Sequence, residues 1–321
     1  LSHSPFKVTP EAHHRIKHCA ETYFHTLATE KYIAPRAVES LRNVGKYVLP
    51  STVYAMPAMI ALSADTFDQS MAGLYKNIIE KQPKISEKDK MWLSKLNDKG
   101  EFTDYIYDKA RVLPYSSVAT TRNANKWMAT VRAHSKYVYP YEGWGPDYFA
   151  FPAYLAHGYL DISYQNSVDS TYETITPKAK SSWQDGYDWR RFPGITAVRL
   201  PYQQLLTAPN QVRDEGGEYL FSDQAFVGGV ETLSGNATFA FPFRGHDKWG
   251  LESFVGRKSY FFFNDIVVSL GSGIESDIDN YAVETTVLQN KVVKEEGLTT
   301  SSGIITVLPF NDIKQSTDPL W

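Results

Sequence analysis

The chain has 321 residues, enough for two domains of ordinary size, and its 42% apolar content allows a packed core. A net charge of −3 provides no basic field for nucleic acid or anionic lipid, so an acidic ligand needs a local cluster of Arg and Lys. The single cysteine, Cys19, excludes an intrachain disulfide and a cysteine-based metal site, and no apolar run approaches the ~20 residues of a membrane span.

The first hundred residues have the pattern of consecutive helices. Thr9-Pro10-Glu11 is typical of a helix start, and Ser51, Ser63 and Ser86 are predicted to begin three more helices, with Pro57 as a kink and Gly100 as the last stop. In the first helix the predicted buried stripe is Ile16, Cys19, Ala20, Tyr23, Phe24 and Leu27; in the third it is Phe67, Met71, Leu74 and Ile78. Short joints between the helices favour an array of α/α hairpins.

After Gly100 the apolar spacing changes to that of strands. Residues 126–135, KWMATVRAHS, alternate and predict a half-buried strand with Arg132 and His134 on its polar face. ATFAFPF, SYFFFNDIVVSL and YAVETTVLQN are also strand-like, and Gly271-Ser272-Gly273 is predicted to be a turn. The order of helices followed by strands predicts two abutting regions with a cleft where they meet.

The densest group of reactive and aromatic side chains lies at residues 132–158, RAHSKYVYPYEGWGPDYFAFPAYLAHG. It contains His134, Tyr141, Glu142, Trp144 and, further on, Asp147 and His157. Glu142 follows the predicted strand and lies in a Pro- and Gly-rich loop, where a carboxylate can be directed at a ligand. Aromatic rings stack on pyranose faces, so the group indicates a carbohydrate site, whereas the alternative is an aromatic surface loop.

Two further clusters lie on predicted helices. Arg42 and Lys46 are four residues apart, so on a helix they form one cationic face suited to carboxylate or sulfate, or else a solvated surface. His14 and His18 have a spacing that can share a zinc ion. They lack the glutamate of HExxH and lie opposite the Ile16 stripe, which favours a solvated polar face. No Walker loop, GxGxxG or GxSxG motif occurs, which disfavours nucleotide enzymes and common serine hydrolases.

The segments KWMATVRAHSKYVYPYEG, YDWRRFPGITAVRLP and NYAVETTVLQN resemble the central region of polysaccharide lyase family eight, the hyaluronate, chondroitin and xanthan lyases. The pattern is most similar to the chondroitin ABC lyases, and its most specific part is Trp189, Pro193, Gly194 and Thr196. In that family an α/α toroid precedes antiparallel β-sandwich domains, and members cut acidic polysaccharides by β-elimination. The resemblance therefore implies an α+β fold, with the C-terminal part of a toroid at 1–100 and a β-sandwich at 101–321.

The resemblance also implies site residues. Glu142 matches the glutamate that reaches into the cleft, Arg42 matches the cleft arginine, and Asn43 stands where chondroitin ABC lyases carry a histidine. Asn43 is expected to bind substrate, together with Lys46, Tyr141 and Trp144. The family's His and Tyr belong to a segment expected before Leu1, so the chain is interpreted as a middle portion of a longer lyase.

This chemistry has a physical basis of its own. The C5 proton of a uronate is a weak acid, so its removal needs an arginine to neutralise the carboxylate and a base such as a tyrosine with a lowered pKa. The reaction requires no cofactor, although a structural calcium ion is compatible with it. The expected partners are an acidic polysaccharide and the rest of the lyase, in a secreted or periplasmic location, with no nucleic acid and no membrane span.

Three functional hypotheses follow from the sequence. The first is a polyanion lyase with Arg42 and Glu142 in a cleft, and the second is a scaffold that binds acidic glycan without cleaving it. The third is a hydrolase that uses Glu142 and Asp147. In the stretch DWRRFPGIT we predict a strand-end corner, in which Trp189 is buried and Arg191 forms a structural salt bridge.

Overall fold

Helices occupy the first part of the protein and antiparallel sheets the remainder, so the fold is α+β. A computed structural model describes residues 8–27, 51–80, 84–105, 109–123, 127–138, 140, 153–164, 188–205, 222–287, 289, 298–300 and 303–305. The chain divides into two units, Leu1–Gln289 and Asn290–Trp321. Within the described ranges, none of the helices combines the length and apolarity needed to cross a membrane.

Within the described ranges four helices precede the sheets, and those that begin at Pro10, Ser51 and Glu87 start where the sequence predicts. Thr9 Oγ1 accepts a hydrogen bond from the Ala12 amide at the start of the first helix. Ser86 forms a reciprocal capping box with Asp89 at the start of the fourth. The helices are α1 (Pro10–Leu27), α2 (Ser51–Ser63), which contains Pro57, α3 (Gln69–Glu80) and α4 (Glu87–Asn97).

Two details of the predicted helices are wrong. Ile16 and Cys19 are exposed, because the buried face of α1 is set by Ala20 and Phe24. Ser63 ends α2 and does not begin α3. Asp68 starts α3 instead, because its Oδ1 accepts a hydrogen bond from the Met71 amide at 3.1 Å.

The helices share one apolar core of their own. Phe24 from α1, Ile60 from α2, Leu74 from α3 and Leu96 from α4 are all buried in it. Phe102 packs on the same core, so residues just past α4 still belong with the helices. A boundary at residue 100 therefore stays a prediction.

The first sheet contains four antiparallel strands in the order β1-β2-β3-β4. The half-buried pattern predicted for β3 is wrong, because this strand lies between β2 and β4 and is covered on both faces. Met128 and Thr130 are buried as fully as Ala129 and Val131. The strands are β1 (Arg111–Leu113), β2 (Val118–Asn123), β3 (Trp127–Arg132) and β4 (Tyr159–Tyr164).

The second four-stranded sheet has the order β6-β7-β8-β9 and shares one core with the first. Phe239 and Tyr260 from this sheet pack in the same cluster as Ala119 and Val131. The turn between β8 and β9 contains Asn264 with φ 47°, and the predicted turn at 271–273 is wrong because β9 continues through it. The strands are β6 (Gly228–Glu231), β7 (Ala237–Arg244), β8 (Val255–Phe263) and β9 (Ile266–Glu275).

Strand β9 forms one edge of the second sheet as it is described. Val267 packs on the core, whereas the other residues of the strand are exposed, and positions 266, 268 and 270 share the opposite, outer face. Three apolar side chains of that outer row, Ile266, Val268 and Leu270, are exposed.

The remaining described elements are short. Strand β5 (Thr196–Val198) pairs with β10 (Val283–Thr285), and the four-residue helix α5 (Tyr202–Leu205) follows β5. In the second unit the described part is the hairpin of β11 (Leu298–Thr300) and β12 (Gly303–Ile305).

The corner before β5 has the structural role that its sequence predicts. Trp189 is fully buried, Gly194 has φ 83°, and Arg191 Nη2 lies 2.9 Å from Glu284 Oε2 on β10. The glycine is required because a Cβ at position 194 would lie 2.8 Å from the carbonyl oxygen of Gly158. The predicted salt bridge of Arg191 is confirmed.

Residues 188–191 form a turn, and both arginines of this turn contact the carboxylate of Asp188. Arg190 Nε lies 2.9 Å from Asp188 Oδ1, and Arg191 Nη1 lies 3.8 Å from Asp188 Oδ2. Arg199 joins both acids, with Nη2 2.9 Å from Asp188 and Nη1 2.9 Å from Glu284. This ion network locks the corner to β10.

One buried arginine connects the helices to the first sheet. Arg122 on β2 donates from Nε to the carbonyl oxygen of His25 at 2.7 Å, and from Nη2 to that of Phe24 at 3.4 Å. These carbonyls lie in the last described turn of α1, and a guanidinium, which carries several N–H donors, is well matched to two adjacent carbonyl oxygens.

Candidate functional site

The predicted site residues lie outside the described part of the chain. Arg42, Asn43 and Lys46 belong to residues 28–50, and Tyr141, Glu142 and Trp144 belong to residues 141–152. Asp147 of the hydrolase hypothesis lies in the second of these segments. The roles of all seven residues stay predictions.

The two described residues that flank the segment 141–152 line a polar pocket. Its volume is about 200 Å³, below the ~300 Å³ at which sites for drug-sized ligands begin, so it suits a single small ring. The lining residues are His134, Pro140, Ala153, His157, Ser222, Asp223, Arg244, Gly245, His246, Asp247 and Trp249.

Strand ends bring these side chains together. His134 follows the end of β3, His157 lies in the turn before β4, and Arg244 is the last residue of β7. The chain then turns through a short 3-10 helix, Asp247–Trp249, which begins where His246 Nδ1 accepts a hydrogen bond from the Lys248 amide at 3.0 Å. Polar groups at strand ends therefore converge above the shared core.

Two histidines form the floor of the pocket. The rings of His134 and His157 stack with centroids 5.5 Å apart and an angle of 8°, and His157 continues this stack onto Phe243. Burial lowers the pKa of His134 to about 4, although its bond to the Ala156 carbonyl acts in the opposite direction. Burial and the neighbouring His134 lower the pKa of His157 well below its usual range. Both rings are therefore neutral at pH 7.

The tautomer of His134 follows from its hydrogen bond. Its Nδ1 lies 3.1 Å from the Ala156 carbonyl oxygen, which can only accept, so Nδ1 carries the proton and Nε2 is an acceptor. Nε2 has no hydrogen-bond partner among the described residues. This atom keeps some solvent-accessible surface, whereas His157 Nδ1 is fully buried and also lacks a hydrogen-bond partner. His134 itself is only 4% exposed, so this acceptor is accessible through the pocket that the ring lines.

The rim carries charges of both signs. Arg244 Nη2 lies 3.1 Å from Asp247 Oδ1, and its Nε lies 3.8 Å from Asp223 Oδ2 while donating to the Glu252 carbonyl oxygen at 3.0 Å. Both carboxylates are more than half exposed. The arrangement offers hydrogen-bond acceptors and a guanidinium to a ligand, whereas the described residues hold no group of three or more metal-ligating side chains.

Sequence reasoning found only part of this pocket. His134 and His157 belong to the dense stretch that it singled out, whereas Asp223 and residues 244–249 were missed. The signal for the latter was FRGHDKWG, which places Arg, His, Asp and Trp directly after a predicted strand. His14 and His18 are exposed on α1, which agrees with a solvated polar face.

Comparison with known proteins identifies the family. Residues 111–309, more than half of the chain, match the model of the polysaccharide lyase family 8 super-sandwich domain. The chain is 32% identical over 276 residues to the chondroitin sulfate ABC exolyase of Bacteroides thetaiotaomicron, covering 79% of this chain and 26% of that enzyme. It is 26% identical over 335 residues to the chondroitin sulfate ABC exolyase of Proteus vulgaris, and this match covers 99% of this chain and 31% of that enzyme. The chain thus spans between a quarter and a third of these relatives.

Solved structures show the same fold. A chondroitin AC lyase of Streptomyces coelicolor A3, solved with chondroitin sulphate, aligns with a TM-score of 0.61 at 20% identity, over 94% of this chain and 40% of that one. A chondroitinase AC lyase solved with oligosaccharides aligns with a TM-score of 0.54 at 16% identity, over 94% of this chain and 38% of that one. With the family match across both sheets, these likenesses lead to one conclusion: the chain belongs to polysaccharide lyase family 8.

Proposed function

We propose that the protein containing this chain is a polysaccharide lyase that cleaves an acidic glycosaminoglycan, of the chondroitin, dermatan or hyaluronan type, by β-elimination at a uronate. The observation that carries the proposal is the family match over residues 111–309, together with relatives that are named chondroitin sulfate lyases. Helices α1–α4 would then be the C-terminal part of an α/α toroid, and the polymer would be met in a secreted or periplasmic location.

Two side chains of this chain carry the proposed chemistry. Arg42 pairs with the uronate carboxylate. Removal of the C5 proton shifts further negative charge onto this carboxylate, so the paired arginine lowers the pKa of the C5 proton. Glu142 supports the arrangement from the sheet region. The base that takes the C5 proton is assigned to a tyrosine of the longer protein. The electron pair of the broken C5–H bond forms the C4–C5 double bond as the bond from C4 to the leaving oxygen breaks, and the tyrosine returns the proton to that oxygen.

The pocket supports the proposal through its position. Pro140 and Ala153 bound the segment that carries Tyr141, Glu142 and Trp144, and both residues line a cavity of single-ring size. A sugar bound there lies close in sequence to the proposed reacting groups.

The test uses the full-length protein and the ultraviolet absorbance of the C4–C5 double bond that elimination creates. Glu142→Gln is expected to lower kcat by at least a hundredfold, since groups that act in the transition state are worth about 10²–10⁴-fold. Glu101→Gln, at an exposed site, is the matched control and should match the wild type. A Glu142→Gln rate near that of the wild type removes this residue from the mechanism.

Arg42→Ala is expected to lower kcat/KM by at least tenfold, because a charge-assisted contact to the uronate is lost. The control is Arg257→Ala, at an exposed site in the second sheet. Reducing ends that appear without ultraviolet absorbance would indicate the hydrolase, and polymer binding without new ends would indicate the scaffold; either result refutes the lyase.

A further inference from the structure

One cationic side chain of the second sheet is buried without a counter-charge among the described residues. Lys258 lies in the buried row of β8 and is only 2% exposed. Its Nζ makes no hydrogen bond and no salt bridge within the described part of the chain. Burial lowers the pKa of Lys258 to about 8, so the amine is still mostly charged at pH 7. Because buried charges in proteins are normally paired, this ammonium needs an anionic partner.

The tip of this side chain is left uncovered on one side. Lys258 Nζ keeps some solvent-accessible surface, although the rest of the side chain is enclosed. Gly271 is the residue of β9 that pairs with Lys258, and a Cβ at position 271 would lie 3.7 Å from Nζ. Ile274 bounds the same space, because its Cδ1 would lie 3.1 Å from that Cβ. The space beside the amine is therefore narrow and suits only a compact solute.

The charges around the amine select an anion. His157 is close enough to feel the charge of Lys258, but burial keeps its imidazole neutral at pH 7. Among the described residues no carboxylate offsets the ammonium, so an anion that reaches Nζ is attracted at a low local dielectric constant. A sulfate or a phosphate is larger than the narrow space and carries more charge than one ammonium neutralises.

We propose that Lys258 Nζ binds a compact monovalent anion, such as chloride, in the space that Gly271 leaves open between β8 and β9. The ammonium donates its hydrogens to the anion, and the side chain of Ile274 shields the pair from water. The anion stabilises the second sheet, because a paired charge is less costly to bury than a single one. It takes no part in the proposed elimination, so the inference is independent of the proposed function.

The line width of the chloride NMR signal tests the site directly in the full-length protein. In a chloride titration the wild type should show a saturable broadening that Lys258→Met lacks. Arg257→Met removes the adjacent cation on the exposed face of the same strand, so it is the matched control and should keep the broadening. If wild type and Lys258→Met broaden the signal equally, the proposal is overturned.

Gly271→Ala tests the geometry of the site with the charge kept. Gly271 has no positive φ, so its backbone accepts alanine, and the added Cβ covers Nζ while Ile274 gives way by a few tenths of an ångström. Chloride binding should therefore weaken about five- to tenfold, since a hydrogen bond from a charged group is hindered. Chloride binding of wild-type strength in Gly271→Ala refutes the assignment.

Thermal unfolding provides a readout that is independent of the NMR signal. At constant ionic strength, exchange of gluconate for chloride should raise the Tm of the wild type by about 2–4 °C once chloride reaches about ten times its Kd. Lys258→Met, in which no buried charge opposes folding, should not respond, so the two proteins differ most in gluconate. An equal rise of Tm in both proteins is a general salt effect and contradicts the site.

Discussion

The ion network at the corner before β5 allows a quantitative prediction for Asp188→Asn. Asp188 accepts from the Arg190 amide at 3.0 Å, from Arg190 Nε at 2.9 Å and from Tyr202 Oη at 2.8 Å, and it pairs with Arg199. Its side chain is only 16% exposed, so water screens these contacts weakly. Asparagine keeps one acceptor oxygen but loses the charge, and it turns an amide towards guanidinium groups.

The expected cost lies between two limits. Breaking a fully buried ion pair costs 3–5 kcal/mol, and losing a hydrogen bond to a charged group costs about 1.5–3 kcal/mol. Arg190 and Arg199 keep partial contact with water, and Arg199 retains Glu284, so we expect Asp188→Asn to lower the free energy of unfolding by about 2–3 kcal/mol.

Acid titration gives a second measurement of the same network. Burial alone raises the pKa of Asp188, but hydrogen bonds from Arg190 and Tyr202 outweigh it, so the folded pKa lies below the usual 3.8. The stabilisation is therefore complete above about pH 4 and is lost as pH falls through the lowered folded pKa. The difference between wild type and Asp188→Asn should shrink over that acid range.

Urea unfolding followed by tryptophan fluorescence measures both effects, with Asp279→Asn as the exposed control. If Asp188→Asn lowers the free energy of unfolding by less than about 0.5 kcal/mol, the effect lies within the range of ordinary surface substitutions and the reasoning is refuted. A difference that does not change with acid would show that the charge of Asp188 is not what stabilises the corner.

Three further substitutions test other parts of the fold. Gly194→Ala should destabilise by at least about 2 kcal/mol, because φ 83° is strained for alanine and its Cβ would meet the Gly158 carbonyl oxygen; urea midpoints measure this. Lys258→Met should raise Tm at pH 7, because burial lowers the pKa of Lys258 to about 8 and the charged amine opposes folding. That gain is complete below pH 8 and should disappear as pH rises towards the unfolded pKa of 10.5, so a pH-independent gain contradicts it. Arg122→Met should cost about 2 kcal/mol and increase amide exchange in the last described turn of α1, and unchanged exchange there would argue against its role in holding this turn.

Local chemistry made several parts of the fold predictable. The caps at Thr9 and Ser86 depend on contacts within three residues, and the burial of Trp189 and the turn at Gly194 follow from one short motif. The salt bridge of Arg191 joins residues 93 positions apart, so its partner was not predictable from the sequence. That Arg191 forms a salt bridge was predictable, because a charged group in a buried corner is stable only when it is paired.

Other features depend on what covers a residue, which no local pattern shows. His134 alternates with apolar residues and therefore has the pattern of a solvated face, but loops and the second sheet close over it. In strand β9, Gly271 pairs with Lys258 of β8 and Gly273 lies where the register of this pairing shifts, yet the strand continues to Glu275, so the glycines do not end it. The pocket combines residues 134 and 246, which only the packing of two sheets brings together.

The exposed outer row of β9 has a practical consequence for handling the 321-residue chain. An edge strand that presents Ile266, Val268 and Leu270 without an interrupting charge is a template on which other polypeptides can add. Concentrated samples are expected to self-associate through this edge, and Val268→Lys places a gatekeeper charge in the middle of the row, at a position that does not line the pocket.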